Sequence, residues 1–67
     1  MSVAKVIEIK STSEKSFEDA VKQGIETASK TISDIKSAWV SEQEVKVDEG
    51  KITAYRVLLK VTFLVKE

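Results

Sequence analysis

The sequence predicts an α+β fold of order β-α-β-β, a three-stranded antiparallel sheet wrapped over one helix. Three observations carry it: apolar residues with period two at both ends of the chain, spacings of three and four in the segment after the first, and one glycine-centred turn between the last two. The 67 residues leave room for a single domain, taken as residues 1–67.

The first strand covers residues 3–10, where Ile7 and Ile9 face one way and Glu8 and Lys10 the other. Ser11-Thr12-Ser13 follows, a run of hydroxyls able to accept from the open N–H groups of a starting helix, and Ser13 is taken as the N-cap. Glu14 beside it suits the positive end of the helix dipole. Phe17, Ala20, Val21, Gly24, Ile25, Ala28 and Ile32 then draw one apolar stripe along a helix of about five turns. Glu18 with Lys22 and Glu26 with Lys30 stand in the favourable i,i+4 order, worth about 0.2–0.5 kcal/mol each. Gly24 on the buried stripe costs up to about 1 kcal/mol of helix propensity, which a close approach by a strand would explain.

Residues 34–47 alternate again. Strict alternation puts Ser37, Trp39, Ser41, Gln43, Val45 and Val47 on one face and Lys36, Ala38, Val40, Glu42, Glu44 and Lys46 on the other, and neither face is uniformly apolar. Asp48-Glu49-Gly50-Lys51 is a hairpin signal, with Gly50 supplying a positive φ. The last strand, residues 52–66, carries an unbroken row of Tyr55, Val57, Leu59, Val61, Phe63 and Val65 that must pack on the helix. Its other face reads Ala54, Arg56, Leu58, Lys60, Thr62 and Leu64, too apolar to be left wholly to solvent.

Composition narrows the chemistry. A domain of this size buries only about 60% of the surface its unfolded chain exposes, and small domains add disulfides, a metal or partner subunits. The chain has no Cys and no His, which excludes disulfides, thiolate nucleophiles, tetrahedral zinc sites and a histidine base, and leaves oligomerisation. Eleven basic against eleven acidic residues give a net charge of +0, with no bulk field for nucleic acid or a membrane surface. With no signal-like opening and no apolar run of about 20 residues, the chain reads as cytoplasmic. No glycine-rich phosphate loop or nucleophile elbow is present, and the chain reads as a non-enzyme.

Two residues stand out. Trp39, the sole Trp, lies in a strand of mixed polarity, where it either plugs a subunit interface or offers a stacking platform to a flat aromatic ligand. Arg56 interrupts the outer face of the last strand, either pairing with a Glu across the sheet or presenting its planar guanidinium to rings, phosphate or carbonyl oxygens. Tyr55 belongs to the core row. Glu42, Glu44, Asp48 and Glu49 lack the loop spacing of an EF-hand and read as a charged hairpin end, with no metal site assigned.

In this order and within so short a chain, Lys5-Val6-Ile7-Glu8-Ile9, Ser11-Thr12-Ser13-Glu14, Ser16-Phe17-Glu18-Asp19-Ala20, Ala38-Trp39-Val40, Tyr55-Arg56-Val57 and Val61-Thr62-Phe63 together resemble the dodecin family. The resemblance covers nearly the whole chain. It implies a hollow homododecamer built from trimers that stores or sequesters a flavin, FMN or riboflavin. It also implies that Trp39 stacks on the isoalloxazine ring, with Arg56 and Glu44 as the other candidate flavin-site residues. Where Arg56 stands the family normally has Gln, and Val40 and Ser41 replace an aromatic and an acidic residue, which marks a divergent member. The alternative is a structural or cation-binding assembly of the same shape that has lost the flavin.

Overall fold

A computed structural model describes residues 3–65. Four elements follow one another: β1 (Val3–Ser13), α1 (Phe17–Ala28), β2 (Ile35–Asp48) and β3 (Lys51–Val65). The strands form one antiparallel sheet of order β1-β3-β2, so the last strand in sequence is the central one. Lys66, assigned above to the last strand, lies outside the described residues, as does the Met1-Ser2 opening.

β3 takes the centre because its apolar row is the longest in the chain. Val57, Leu59 and Val61 are completely buried and form the core with Ala20 of α1. Ile7 and Ile9 of β1, Phe17, Val21 and Ile25 of α1, and Ile35 and Val40 of β2 close around them. Phe17 meets Tyr55 edge to face, with ring centroids 5.2 Å apart. Gly24 explains itself here. A Cβ at this position would stand 3.0 Å from Ser11 Cβ and 3.1 Å from Leu59 Cδ1, so a hydrogen is the side chain that lets α1 settle against β1 and β3.

Both helix ends differ from the expectation. Ser13 remains in β1, opposite Tyr55, and is buried. Its hydroxyl accepts from Lys15 N–H at 2.9 Å and Ser16 N–H at 3.5 Å, and donates to Asp19 Oδ2 at 2.6 Å. It therefore ties the strand end to the first helical turn, and Ser16 is the N-cap, its Oγ accepting from Asp19 N–H at 3.0 Å. The helix then stops at Ala28, well short of Ile32. Past that point Lys30 N–H and Thr31 N–H reach back only three residues, and Ser29 Oγ donates to the Ile25 carbonyl at 2.8 Å. Thr27, Ser29 and Thr31 carry hydroxyls or branched Cβ atoms that compete with helical pairing, and Asp34 at φ 60 turns the chain into β2. Lys30 consequently lies beyond the helix and cannot serve as an i,i+4 partner to Glu26 within it.

β1 runs out at the Ser13–Tyr55 pair, yet β2 and β3 continue to the turn at Asp48 and Lys51, where Glu49 and Gly50 both take positive φ. This end is a two-stranded arm without a helix, and Val47 and Ile52 on it are 60% and 54% exposed. The chain measures 51 × 19 × 13 Å with a radius of gyration of 13.8 Å. A compact domain of this length would have a radius near 11 Å. The protomer is a slab with an arm, and its core is thin.

The Gly24 contact makes a prediction. Gly24→Val should lower stability by about 1–3 kcal/mol, because the added atoms press on Ser11 and Leu59. Gly24→Ala should lose less, since it regains up to about 1 kcal/mol of helix propensity. The midpoint of thermal unfolding at fixed protein concentration checks this, and a Val variant as stable as the parent would contradict the close approach.

Candidate functional site

The placement of Trp39 depends on an irregularity in β2. Register shifts between Ile35 and Ser37 and between Val40 and Glu42 mark Lys36 and Ser41 as extra residues in β2, and a third between Lys46 and Val47 marks Thr53 as an extra residue in β3. Each such bulge turns the following side chains through the sheet. Directly paired residues share a face, so Ile35, Ala38, Val40, Gln43 and Val45 lie on the helix side with Phe63, Val61, Leu59, Val57 and Tyr55. Ser37, Trp39, Glu42, Glu44 and Lys46 lie on the outer side. The strict alternation expected above is therefore corrected: Trp39 shares its face with Glu42 and Glu44, not with Ser41, Gln43 and Val45. The mixed polarity of β2 resolves into a mostly apolar inner face and a polar outer face bearing one indole. Ser41 Oγ donates to the Leu58 carbonyl at 3.4 Å, bonding the bulge back to β3.

The outer face is an ordered grid across β2, β3 and β1. One row is Trp39, Lys60 and Glu8; the next is Glu42, Leu58 and Lys10; the third is Glu44, Arg56 and Thr12. Trp39 is 63% exposed, and Lys60 Nζ sits 5.0 Å from the centroid of its ring, within cation–π range. In the third row Arg56 Nη1 donates to Glu44 Oε1 at 3.2 Å and Arg56 Nε to Thr12 Oγ1 at 3.4 Å. The guanidinium is thus held between both neighbouring strands, the cross-sheet Glu pairing expected of it. An open depression of about 320 Å³ lies over this part of the sheet, lined by Lys10, Glu42, Glu44, Arg56 and Leu58 among others.

Of the three candidate site residues, the structure brings Glu44 and Arg56 into contact and sets Trp39 apart. The Glu42–Leu58 row intervenes, a separation of about 13 Å along the strand. Among the described residues no group of three or more Asp or Glu converges as metal ligands. No helix of the described residues is long and apolar enough to cross a membrane. Lys60 is the neighbour that sequence reasoning passed over. Counted back from the Asp48–Lys51 turn the two fall opposite each other, because the extra Ser41 of β2 and the extra Thr53 of β3 cancel.

A β-α-β-β protomer with its helix on one sheet face and a single indole on the bare face defines a recognisable class of small protein. The chain belongs to the Dodecin family, whose model matches residues 3–66. It is 47% identical over 64 residues to the calcium dodecin of Mycobacterium tuberculosis, covering 94% of this chain and 89% of that protein. The crystal structure of that calcium-chelating protein superposes with a TM-score of 0.83 at 42% identity, covering 96% of this chain and 91% of the other. An Arg-to-Ala mutant of Thermus thermophilus dodecin superposes with a TM-score of 0.94 at 30% identity over 100% of both chains. The dodecin of Streptomyces davaonensis gives 0.93 at 29%, over 98% of this chain and 97% of that one.

The side chains of Arg56 and Glu44 are 34% and 61% exposed, so solvent screens their ion pair. Glu44→Gln should change protomer stability by less than about 1 kcal/mol in chemical denaturation. A larger loss would mean that the pair carries the fold rather than decorating the site.

Proposed function

We propose that this protein sequesters a flavin, FMN or riboflavin, stacked on Trp39 between protomers of a hollow homododecamer built from trimers. The observation that supports the reading is Trp39 itself: a 63% exposed indole on the sheet face that no helix of the protomer covers. An indole left in solvent forfeits the burial of a large apolar surface, and a planar ring laid on it recovers that area with favourable stacking. Arg56, steadied by Glu44 and Thr12, offers guanidinium donors to carbonyl or phosphate oxygens, and Glu44 fixes its direction. The flavin would supply its own redox and light-absorbing chemistry. What these residues do is hold it, orient it and limit its contact with water.

Assembly follows from the same economy of surface. Val57, Leu59 and Val61 are the large side chains fully buried within the protomer, whereas Val6, Trp39, Val47 and Ile52 are all more than half exposed. An isolated two-stranded arm is marginal in water, and packing between copies would give it a second layer. Light scattering should report a mass near twelve times the 7.4 kDa chain, and a monomeric mass would refute the assembly.

For the ligand, FMN or riboflavin titrated with pure protein should lose fluorescence on binding. Trp39→Ala should weaken affinity roughly 5- to 150-fold, the loss expected for one aromatic stacking partner worth about 1–3 kcal/mol. Absence of quenching, or quenching indifferent to Trp39→Ala, would sink this reading.

A second reading, a calcium-binding assembly, is favoured by the 47% identity to a protein named calcium dodecin. Calcium takes six to eight oxygen ligands, and no single protomer gathers enough carboxylates among its described residues. Such a site would have to draw on several protomers. Calorimetric titration of calcium into flavin-free protein should then give saturable binding that disappears when the assembly is dissociated.

A further inference from the structure

We propose that Lys60 sets the preference of the Trp39 face for planar ligands that carry an anionic group, so that FMN is favoured over riboflavin. This rests on the flavin reading above and adds a selecting residue to it. Three observations carry it. Lys60 is the direct cross-strand partner of Trp39, on the same outer face. Its ammonium lies 5.0 Å from the ring centroid, over the surface where a stacking ligand would lie. Among the described residues no carboxylate stands within ion-pair distance of Lys60, although Glu8 is opposite it on β1.

The neighbouring cation is differently placed. Arg56 is held by Glu44 and Thr12 and lies two rows away, so its charge is already partly answered. Lys60 has only the π face of Trp39, a weak partner at an exposed site. A neutral ring that stacks on this side of the indole must push the ammonium off and leaves it with water. A ring bearing a phosphate displaces it equally but offers a charge-assisted hydrogen bond in return. The four-carbon stem allows the ammonium to swing without moving the sheet. Riboflavin and FMN share one ring system and differ in that phosphate, which makes them a matched pair of probes.

The test is a set of fluorescence titrations with FMN and riboflavin on the assembled protein, comparing the parent with Lys60→Met, Lys60→Arg and Arg56→Gln at low and high salt. The parent should bind FMN about fivefold tighter than riboflavin in dilute buffer. At about 1 M salt, where charges are screened beyond about 3 Å, the ratio should approach one. Lys60→Met should bring the ratio to about one while leaving riboflavin affinity equal or higher, and Lys60→Arg should keep the preference. A ratio unchanged in Lys60→Met, or abolished by Arg56→Gln alone, overturns the role of Lys60 while the flavin reading stands. If Lys60→Met fails to assemble, the salt series on the parent decides, and a preference that persists at high salt overturns the proposal. If the parent binds neither flavin, the flavin reading fails and this proposal fails with it.

Discussion

How near one short helix can come to the central strand governs the rest of this protomer. Twelve helical residues must cover a three-stranded sheet, and they do so by setting Ala20, Gly24 and Ala28, the smallest side chains available, against β1 and β3. The small stripe lets the helix settle close at Gly24, and Val57, Leu59 and Val61 are completely buried beneath it. A bulkier stripe would lift α1 and open the layer along its whole length. The same economy limits the core to what one helix can shade. Everything outside that shadow, including the hairpin arm and the outer sheet face, is left for other surfaces.

The bare face is orderly because the central strand is paired on both edges. From Arg56 to Thr62 each outer residue of β3 has one fixed neighbour from β1 and one from β2, so charges and hydroxyls meet in rows rather than at random. Arg56 is caught between Glu44 and Thr12, which turns a long flexible side chain into a directed donor. Lys60 in the row containing Trp39 has no such pair of anchors and rests on an indole instead. Two cations on one strand face, a few residues apart, therefore differ in how readily each can be drawn toward an incoming anion. That difference arises from their neighbours, not from their own chemistry.

Much of this is legible in the sequence, and the parts that are not share a cause. The element order, the Asp48-Glu49-Gly50-Lys51 turn and the burial of Val57, Leu59 and Val61 rest on local patterns, and the structure reproduces them, whereas Val65 at the end of the same row is 37% exposed and Ala54 of the opposite face is buried. Gly24 as a close-approach residue is legible because a glycine on an apolar stripe has few other uses. The capping residue is not. Three consecutive hydroxyl residues precede the helix, and Ser13 is claimed by its pairing with Tyr55 far along the chain, which leaves the cap to Ser16. Which residues of β2 share the face of Trp39 is hidden for the same reason. Bulges at Lys36 and Ser41 are properties of two strands in register, and alternation counted along one strand cannot reveal them. Trp39 and Arg56 are identifiable as outliers from residue type alone, but whether they meet is a question of register, and within one protomer they stand two rows apart.

The Ser41 bulge also changes what kind of sequence change matters at this surface. Its side chain makes one long hydrogen bond to the Leu58 carbonyl, so other small polar residues could stand there at little cost. Removing Ser41 would leave Val40 opposite Leu59 and Glu42 opposite Leu58, so regular alternation would return with Trp39, Glu42 and Glu44 still on the outer face. What this surface cannot absorb is Ser41 entering the ladder as an ordinary strand residue, which would turn either the indole or Glu42 and Glu44 into the helix layer. Along this stretch the bulge takes up a change in residue number, and a lineage could lose this one codon and keep the indole outside.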